Sequence, residues 1–310
     1  MKTVFSLSIL VLGLGMSCQP PALAAAPDEP AARTTVELII EDGRPMVDVT
    51  IATSDDRRET ARLLVDTGGG AFIIPESTAR SLGIEWGETF LGDGREFARP
   101  KAMPRAYLGD LELPLEPQRV LIGIGQEQDS EGAMGLFPGH ILAQHHVIFD
   151  YPGRTLTLAA PGSVEPEGEA FAMPVSQPMG FPRTEITVAG ETWGMLLDTG
   201  PPATIISQAV MDEWQAARPE WEHHEGAAGL GEALARAGGH VLETMVLENV
   251  EWAGVTLDEF TAAAQREGVF EQYMSRMMTA PIVGALGSNA FMDLRLELDY
   301  QAETLYVSQP

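Results

Sequence analysis

Two Asp-Thr-Gly triplets stand 132 positions apart in this chain of 310 residues, each inside an apolar run. The first reads Leu63-Leu64-Val65-Asp66-Thr67-Gly68 and continues Gly69-Gly70-Ala71-Phe72-Ile73-Ile74. The second reads Met195-Leu196-Leu197-Asp198-Thr199-Gly200 and continues Pro201-Pro202-Ala203-Thr204-Ile205-Ile206. A carboxylate bracketed by Leu, Val and Ile is costly to bury unless hydrogen bonds or a partner compensate it. One such triplet would read as an Asx turn between a strand and a helix. Two matched copies, one in each half, point instead to two acids brought together to share a proton, the chemistry of acid–base hydrolysis.

A second pair of segments follows the first in the same order. Gly132-Ala133-Met134-Gly135 precedes Val147-Ile148-Phe149-Asp150-Tyr151, and Gly284-Ala285-Leu286-Gly287 precedes Leu296-Glu297-Leu298-Asp299-Tyr300. The chain is therefore an internal duplication. The second copy is the longer, and its surplus is expected around Ala262 to Pro281, where 271–278 looks helical. Met274, Met277 and Met278 at helical spacing read as core. The Pro/Gly/Glu-rich stretch 161–171 reads as a linker between lobes at 36–160 and 172–310. Short runs of β-type composition, broken by Asp42-Gly43, Asp93-Gly94 and Ala189-Gly190, surround short helical candidates at Glu76–Leu82 and Gln208–Ala217. The expected class is mostly β with short helices. Asp150 and Asp299 read as structural residues of the terminal hairpins.

An aliphatic-Asp-Thr-Gly run, a hydrophobic pair, a short helix, a hairpin, an aliphatic-Gly step and a terminal Asp-Tyr hairpin together resemble the aspartic protease family. The likeness is to retropepsin-like bacterial aspartyl proteases, duplicated in one chain, and covers about Val36 to Val307. It implies a two-lobed acid-protease (retropepsin/pepsin-like) fold with the active site between the lobes. By that resemblance Asp66 and Asp198 are the catalytic pair. Thr67 and Thr199 lock the two loops, and Gly68 and Gly200 present N–H groups to the carboxylates. Met134-Gly135 and Leu286-Gly287 match the hydrophobic-Gly segments beneath the loops. Gly92, Asp93 and Gly94 form the candidate flap tip, with a looser counterpart at 229–239. The implied activity is that of an aspartic endopeptidase in which water is activated between two carboxyls. The chain departs from the family where Ala, Ser or Thr usually follows the triplet: here stand Gly69 and Pro201. Neither supplies a hydroxyl, and Pro201-Pro202 removes two N–H donors. A catalytically silent peptide-binding protein of the cell envelope is the alternative reading.

The formal net charge of −26 excludes the Lys/Arg stripes that nucleic acid or an anionic membrane surface would attract. The expected partner is a peptide or protein substrate, and the expected state is a monomer whose lobes form a pseudo-dimer. No metal and no cofactor is expected. His145-His146 and His223-His224 lack ligand spacing, and Gly68-Gly69-Gly70 lacks the Lys-Ser/Thr of a phosphate loop. At the N-terminus, Lys2, the apolar stretch Val4–Met16 and the small-x-small end at Ala24 read as a secretory signal at 1–24, too short to span a membrane. Export to a periplasmic or extracellular space is expected, with no transmembrane segment in the mature chain. Cys18 is the only cysteine, so the mature chain has no internal disulfide. Leu14-Gly15-Met16-Ser17-Cys18 resembles a lipoprotein box, but Gly15 stands where a branched aliphatic is usual, and simple cleavage is favoured over lipid anchoring at Cys18. N-terminal sequencing of the exported protein is expected to begin near Ala25. A retained Met1, or a lipid-modified Cys18 as first residue, would refute this.

Overall fold

The computed structural model describes residues 33–92, 95–125, 135–226, 241–265 and 269–309. The signal-like start and Cys18, Asp93 and Gly94, 132–134 and 229–239 lie outside the described residues. Among those described, strands dominate and form three sheets, a ten-stranded one in each half and a six-stranded one shared by both.

The two large sheets repeat one plan. In the first, Arg44–Ala52 pairs antiparallel with Arg58–Asp66, the strand that ends at the triplet. Gly135–Pro138 runs parallel to that strand, and Phe72–Pro75 and Val120–Ile124 follow across the sheet. In the second, Phe181–Val188, Glu191–Leu197, Gly284–Leu286, Thr204–Ser207 and Phe260–Gln265 take the same places. Alternation along the triplet strands explains their burial. Leu63 and Val65, like Met195 and Leu197, face the main apolar core, whereas Leu64 and Leu196 face the other way. The turns at Asp42-Gly43 and Ala189-Gly190 are two residues long with both residues at positive φ: Asp42 at 48° and Gly43 at 74°, Ala189 at 54° and Gly190 at 88°. Such turns match the twist of the strands they join.

Hydrogen-bond register corrects the matching of the second motif. Gly135 lies opposite Leu63 and Gly284 opposite Met195, three residues before Asp66 and Asp198 respectively. The equivalents of Leu286-Gly287 are therefore Phe137-Pro138, not Met134-Gly135. The surplus of the second half is also divided. Equivalent residues are offset by 132 at the triplets, by 142 at Val120 and Ala262, and by 149 at Gly135 and Gly284. Ten extra residues thus precede Ala262 and seven follow it. The expected helix around 271–278 is a π-helical turn, Val269–Met274, continued by Ser275–Met278. The last residues of the linker-like stretch open the strand Glu169–Ala172.

The shared sheet is antiparallel throughout, in the order Arg33–Glu37, Thr155–Ala159, His146–Asp150, Arg295–Asp299, Thr304–Ser308, Glu169–Ala172. Its central pair joins the two halves, with Ile148 opposite Glu297. These two are themselves equivalent under the offset of 149, so the pseudo-two-fold axis passes between them. Asp150 and Asp299 cap the hairpin turns, accepting from Gly153 N–H (2.7 Å) and from Gln301 and Ala302 N–H (3.1 and 2.9 Å). Glu297 is fully buried. It takes a 2.9 Å bond with His146 Nε2, the N–H of Glu167 at 3.0 Å, and the guanidinium of Arg295. Burial alone would raise its pKa, but these bonds outweigh burial and hold the carboxyl below the usual range. Removing one member of a buried pair leaves the other uncompensated, so Glu297→Ala is expected to cost about 3–5 kcal/mol in urea unfolding. A loss below about 1 kcal/mol would mean the cluster contributes nothing.

Candidate active site

Asp66 closes its strand and Asp198 directly follows its own, so each carboxyl sits where a sheet gives way to a loop. The loops are tied to each other by four buried hydrogen bonds. Thr67 N–H donates to Thr199 Oγ1 (3.1 Å), and Thr199 N–H donates to Thr67 Oγ1 (3.0 Å). Each hydroxyl then passes its own proton across the axis, Thr67 to Leu197 O (2.6 Å) and Thr199 to Val65 O (2.7 Å). Both threonines are fully buried, so every one of these groups needs a partner and finds it in the other half.

The clamp sets the carboxyls together. Gly68 N–H donates to Asp66 Oδ1 at 2.9 Å and Gly200 N–H to Asp198 Oδ1 at 3.0 Å. The glycines also serve the opposite lobe. A Cβ on Gly68 would fall 2.5 Å from Asp198 Oδ2, and one on Gly200 would fall 2.8 Å from Asp66 Cγ. Neither has positive φ, so close approach of the facing acid, not backbone freedom, requires glycine here.

Both acids keep a partial opening to solvent while protein atoms crowd them. For Asp66, burial, then the charge of Asp198 and the hydrogen bond between the two carboxyls, hold the pKa well above the usual range against the pull of Gly68 and Gly69 N–H. For Asp198, burial raises the pKa, while the bond from Asp66 and the N–H groups of Gly200 and Gly68 moderate the rise. The crowding that raises both carboxyls lets the two hold one proton between them. The pair titrates as a unit.

Positions 69 and 201 belong to a size exchange between the lobes. A Cβ on Gly69 would come within 2.6 Å of Leu136 Cδ2 and 3.0 Å of Asp66 Cγ, so the leucine occupies the space of the missing side chain. In the second lobe Pro201 stands at the place of Gly69, and Ala285 at that of Leu136. Gly139 N–H donates to Gly69 O (3.2 Å), as Ser288 N–H does to Pro201 O (3.0 Å). Each lobe also rests a hairpin turn on the other's loop: Gly43 lies against Pro202, and Met179 against Gly70.

Leu136, Met179, Ser288 and Asn289 escaped sequence reasoning. Ser288 Oγ donates to Thr199 O (3.0 Å), and Asn289 Oδ1 accepts from Thr204 N–H (2.8 Å), which together brace the second loop. Their signal is their place just after Gly287, legible only once the strand register is known. Of the expected flap, Gly92 ends the strand Trp86–Gly92, paired with Arg95–Pro100, and Phe90 and Leu91 beside it are exposed. Among the described residues no group of three or more His, Cys, Asp or Glu side chains is placed to hold a metal. His146 pairs with Glu297 and His223 with Glu243 (2.9 Å).

The raised carboxyls fix a sign for stability. A group whose pKa is raised on folding contributes stability below its unfolded value, near 4, and loses it as pH rises through the folded one. Asp66→Asn removes that loss. The stability of this variant relative to wild type is expected to increase from pH 4 to pH 7, by at most about 1.4 kcal/mol per pH unit for one proton. Urea unfolding at both pH values checks it, and a difference independent of pH would refute the raised pKa.

No family model matches the chain, and no curated protein matches it in sequence. Among solved structures it is similar to the aspartic proteinase from Irpex lacteus, with 11% sequence identity and a TM-score of 0.54, over 90% of this chain and 97% of that one. The chain has the mostly β, two-lobed fold of the pepsin-like aspartic proteinases.

Proposed function

We propose that this chain is an exported aspartic endopeptidase that hydrolyses peptide bonds with Asp66 and Asp198. The observation that carries the reading is that the Thr67–Thr199 bonds set two carboxyls facing each other, each against the opposite lobe's glycine, where they can share one proton. A silent fold has no physical need for two facing acids, whose crowding costs stability. Export rests on the signal-like start. The sequence motifs are read as a retropepsin-like unit doubled in one chain.

In the proposed reaction a water lies between the carboxyls and the scissile carbonyl. The ionised carboxyl of the pair takes a proton from the water as its oxygen attacks the carbonyl carbon, and the protonated one gives its proton to the carbonyl oxygen. The product of this step is a neutral tetrahedral diol. In collapse, one hydroxyl returns its proton to the carboxyl that gave one, the other carboxyl delivers its proton to the leaving nitrogen, and the C–N bond breaks. The pair ends as it began, and no covalent enzyme intermediate forms. The clamp supplies the orientation that makes this one positioned event. Pro201 favours the second reading, a peptide binder without catalysis, because it lacks an N–H where Gly69 has one.

Asp66→Asn and Asp198→Asn are each expected to abolish peptide cleavage as completely as the double change, because the acids act as one unit. Folding is retained, since the amide is nearly isosteric. A pepstatin-like hydroxyl mimic of the diol should bind wild type and lose affinity in both variants. Cleavage that survives in either single variant would place the catalytic centre elsewhere. Failure of wild type to cleave a broad peptide library from pH 3 to 7 would favour the silent binder.

A further inference from the structure

The two lobes differ on the sheet face that runs past the carboxyls. In the first lobe Leu64, Leu136, Ile73 and Leu121 stand directly opposite one another on successive strands. Leu136, Ile73 and Leu121 keep partial exposure, and this stripe belongs to neither apolar core. It is continuous with the site, since Leu136 lies over Gly69 beside Asp66. In the second lobe the same register holds Leu196, Ala285, Ile205 and Ala263. All four are buried, at 3%, 2%, 8% and 0% exposure, in a separate core with Phe270, Met274 and Met278. Two leucines of the open stripe have become alanines, and the chain's own side chains fill the room that this makes. The covering segment is tied down along its second half: Ser275 Oγ accepts from Ile282 N–H (2.8 Å), and Ser176 Oγ donates to Met277 O (3.0 Å).

We propose that the substrate cleft is one-sided. The stripe Leu136–Ile73–Leu121 takes an apolar side chain of the peptide, while Phe270, Met274 and Met278 occupy the matching place beside Asp198 and restrict the peptide there to small residues. This rests on the hydrolase reading of the same site and names its substrate class: peptides with a bulky apolar residue on one side of the cleaved bond and a small one on the other. A pocket discriminates a missing or an extra apolar group by about tenfold or more, so the asymmetry is measurable.

The test profiles cleavage of a peptide library by the whole chain. Wild type should prefer bulky apolar residues about tenfold on one side only, and small ones on the other. Replacing both methionines, Met274→Ala with Met278→Ala, should admit large residues on the restricted side and leave the other preference unchanged. Leu121→Ser, at the half-exposed end of the stripe, should erase the apolar preference alone, and it keeps the test available if the methionine variant does not fold. Equal acceptance of bulky residues on both sides by wild type, or an unchanged profile in either folded variant, would overturn the proposal. Peptide binding to Asp198→Asn, read by fluorescence anisotropy with apolar/small and apolar/apolar peptides, separates the two readings. No cleavage by wild type together with a tenfold binding preference for the apolar/small peptide would defeat the hydrolase and support the one-sided cleft. Cleavage with no such preference would do the reverse.

Discussion

The reciprocal bonds between Thr67 and Thr199 are the constraint on which the site depends. A hydroxyl both donates and accepts, so each threonine closes a circuit through the other half: it receives an N–H and returns a proton to a carbonyl. In water these bonds would be worth little. Buried, they cannot be given up singly without orphaning a polar group. That cooperative penalty is what sets two carboxyls against each other and keeps them there. The glycines then leave out the Cβ atoms that would press on the facing acids.

Much of this was legible in the sequence because the triplet is a local requirement. Asp, Thr and Gly each do a job that no other residue does at that spot, so the letters survive in both halves. The short helix after each triplet and the two-residue turns at Asp42-Gly43 and Ala189-Gly190 were legible for the same reason. The second motif misled because its letters repeat while its physical requirement sits three residues away. The strand needs a small residue at Gly135, where Ile73 O would lie 3.1 Å from a Cβ, and at Gly284, where Met195 Cε would lie 2.8 Å away. The string Gly-Ala-Met-Gly only happens to resemble Gly-Ala-Leu-Gly. The His146–Glu297 pair was equally hidden, because its partners meet through strand register across 151 positions.

The departures at Gly69 and Pro201 follow from a division of labour between the halves. Once both copies lie in one chain, a large residue in one lobe can be traded against a small one in the other. Leu136 with Gly69, and Ala285 with Pro201, is such a trade. The same freedom allowed the second half to lengthen by a helical segment and to fill its own sheet face. A symmetric dimer of identical chains could do neither, since each change would appear twice.

The shared sheet has a consequence for how the chain is made. The strand His146–Asp150 is complete long before its neighbour Arg295–Asp299 emerges. At ribosomal rates of 5–20 residues per second the interval is on the order of ten seconds. Throughout it His146–Asp150 lacks the strand that covers one of its edges, and an open edge is the feature most prone to pair with a foreign chain. Pairing across so long a stretch is also slow in itself, because loop-closure entropy must be overcome before the contact forms. Whether at the ribosome or after export, the inner edge of the first half's strand can be covered only once the last residues of the chain have arrived.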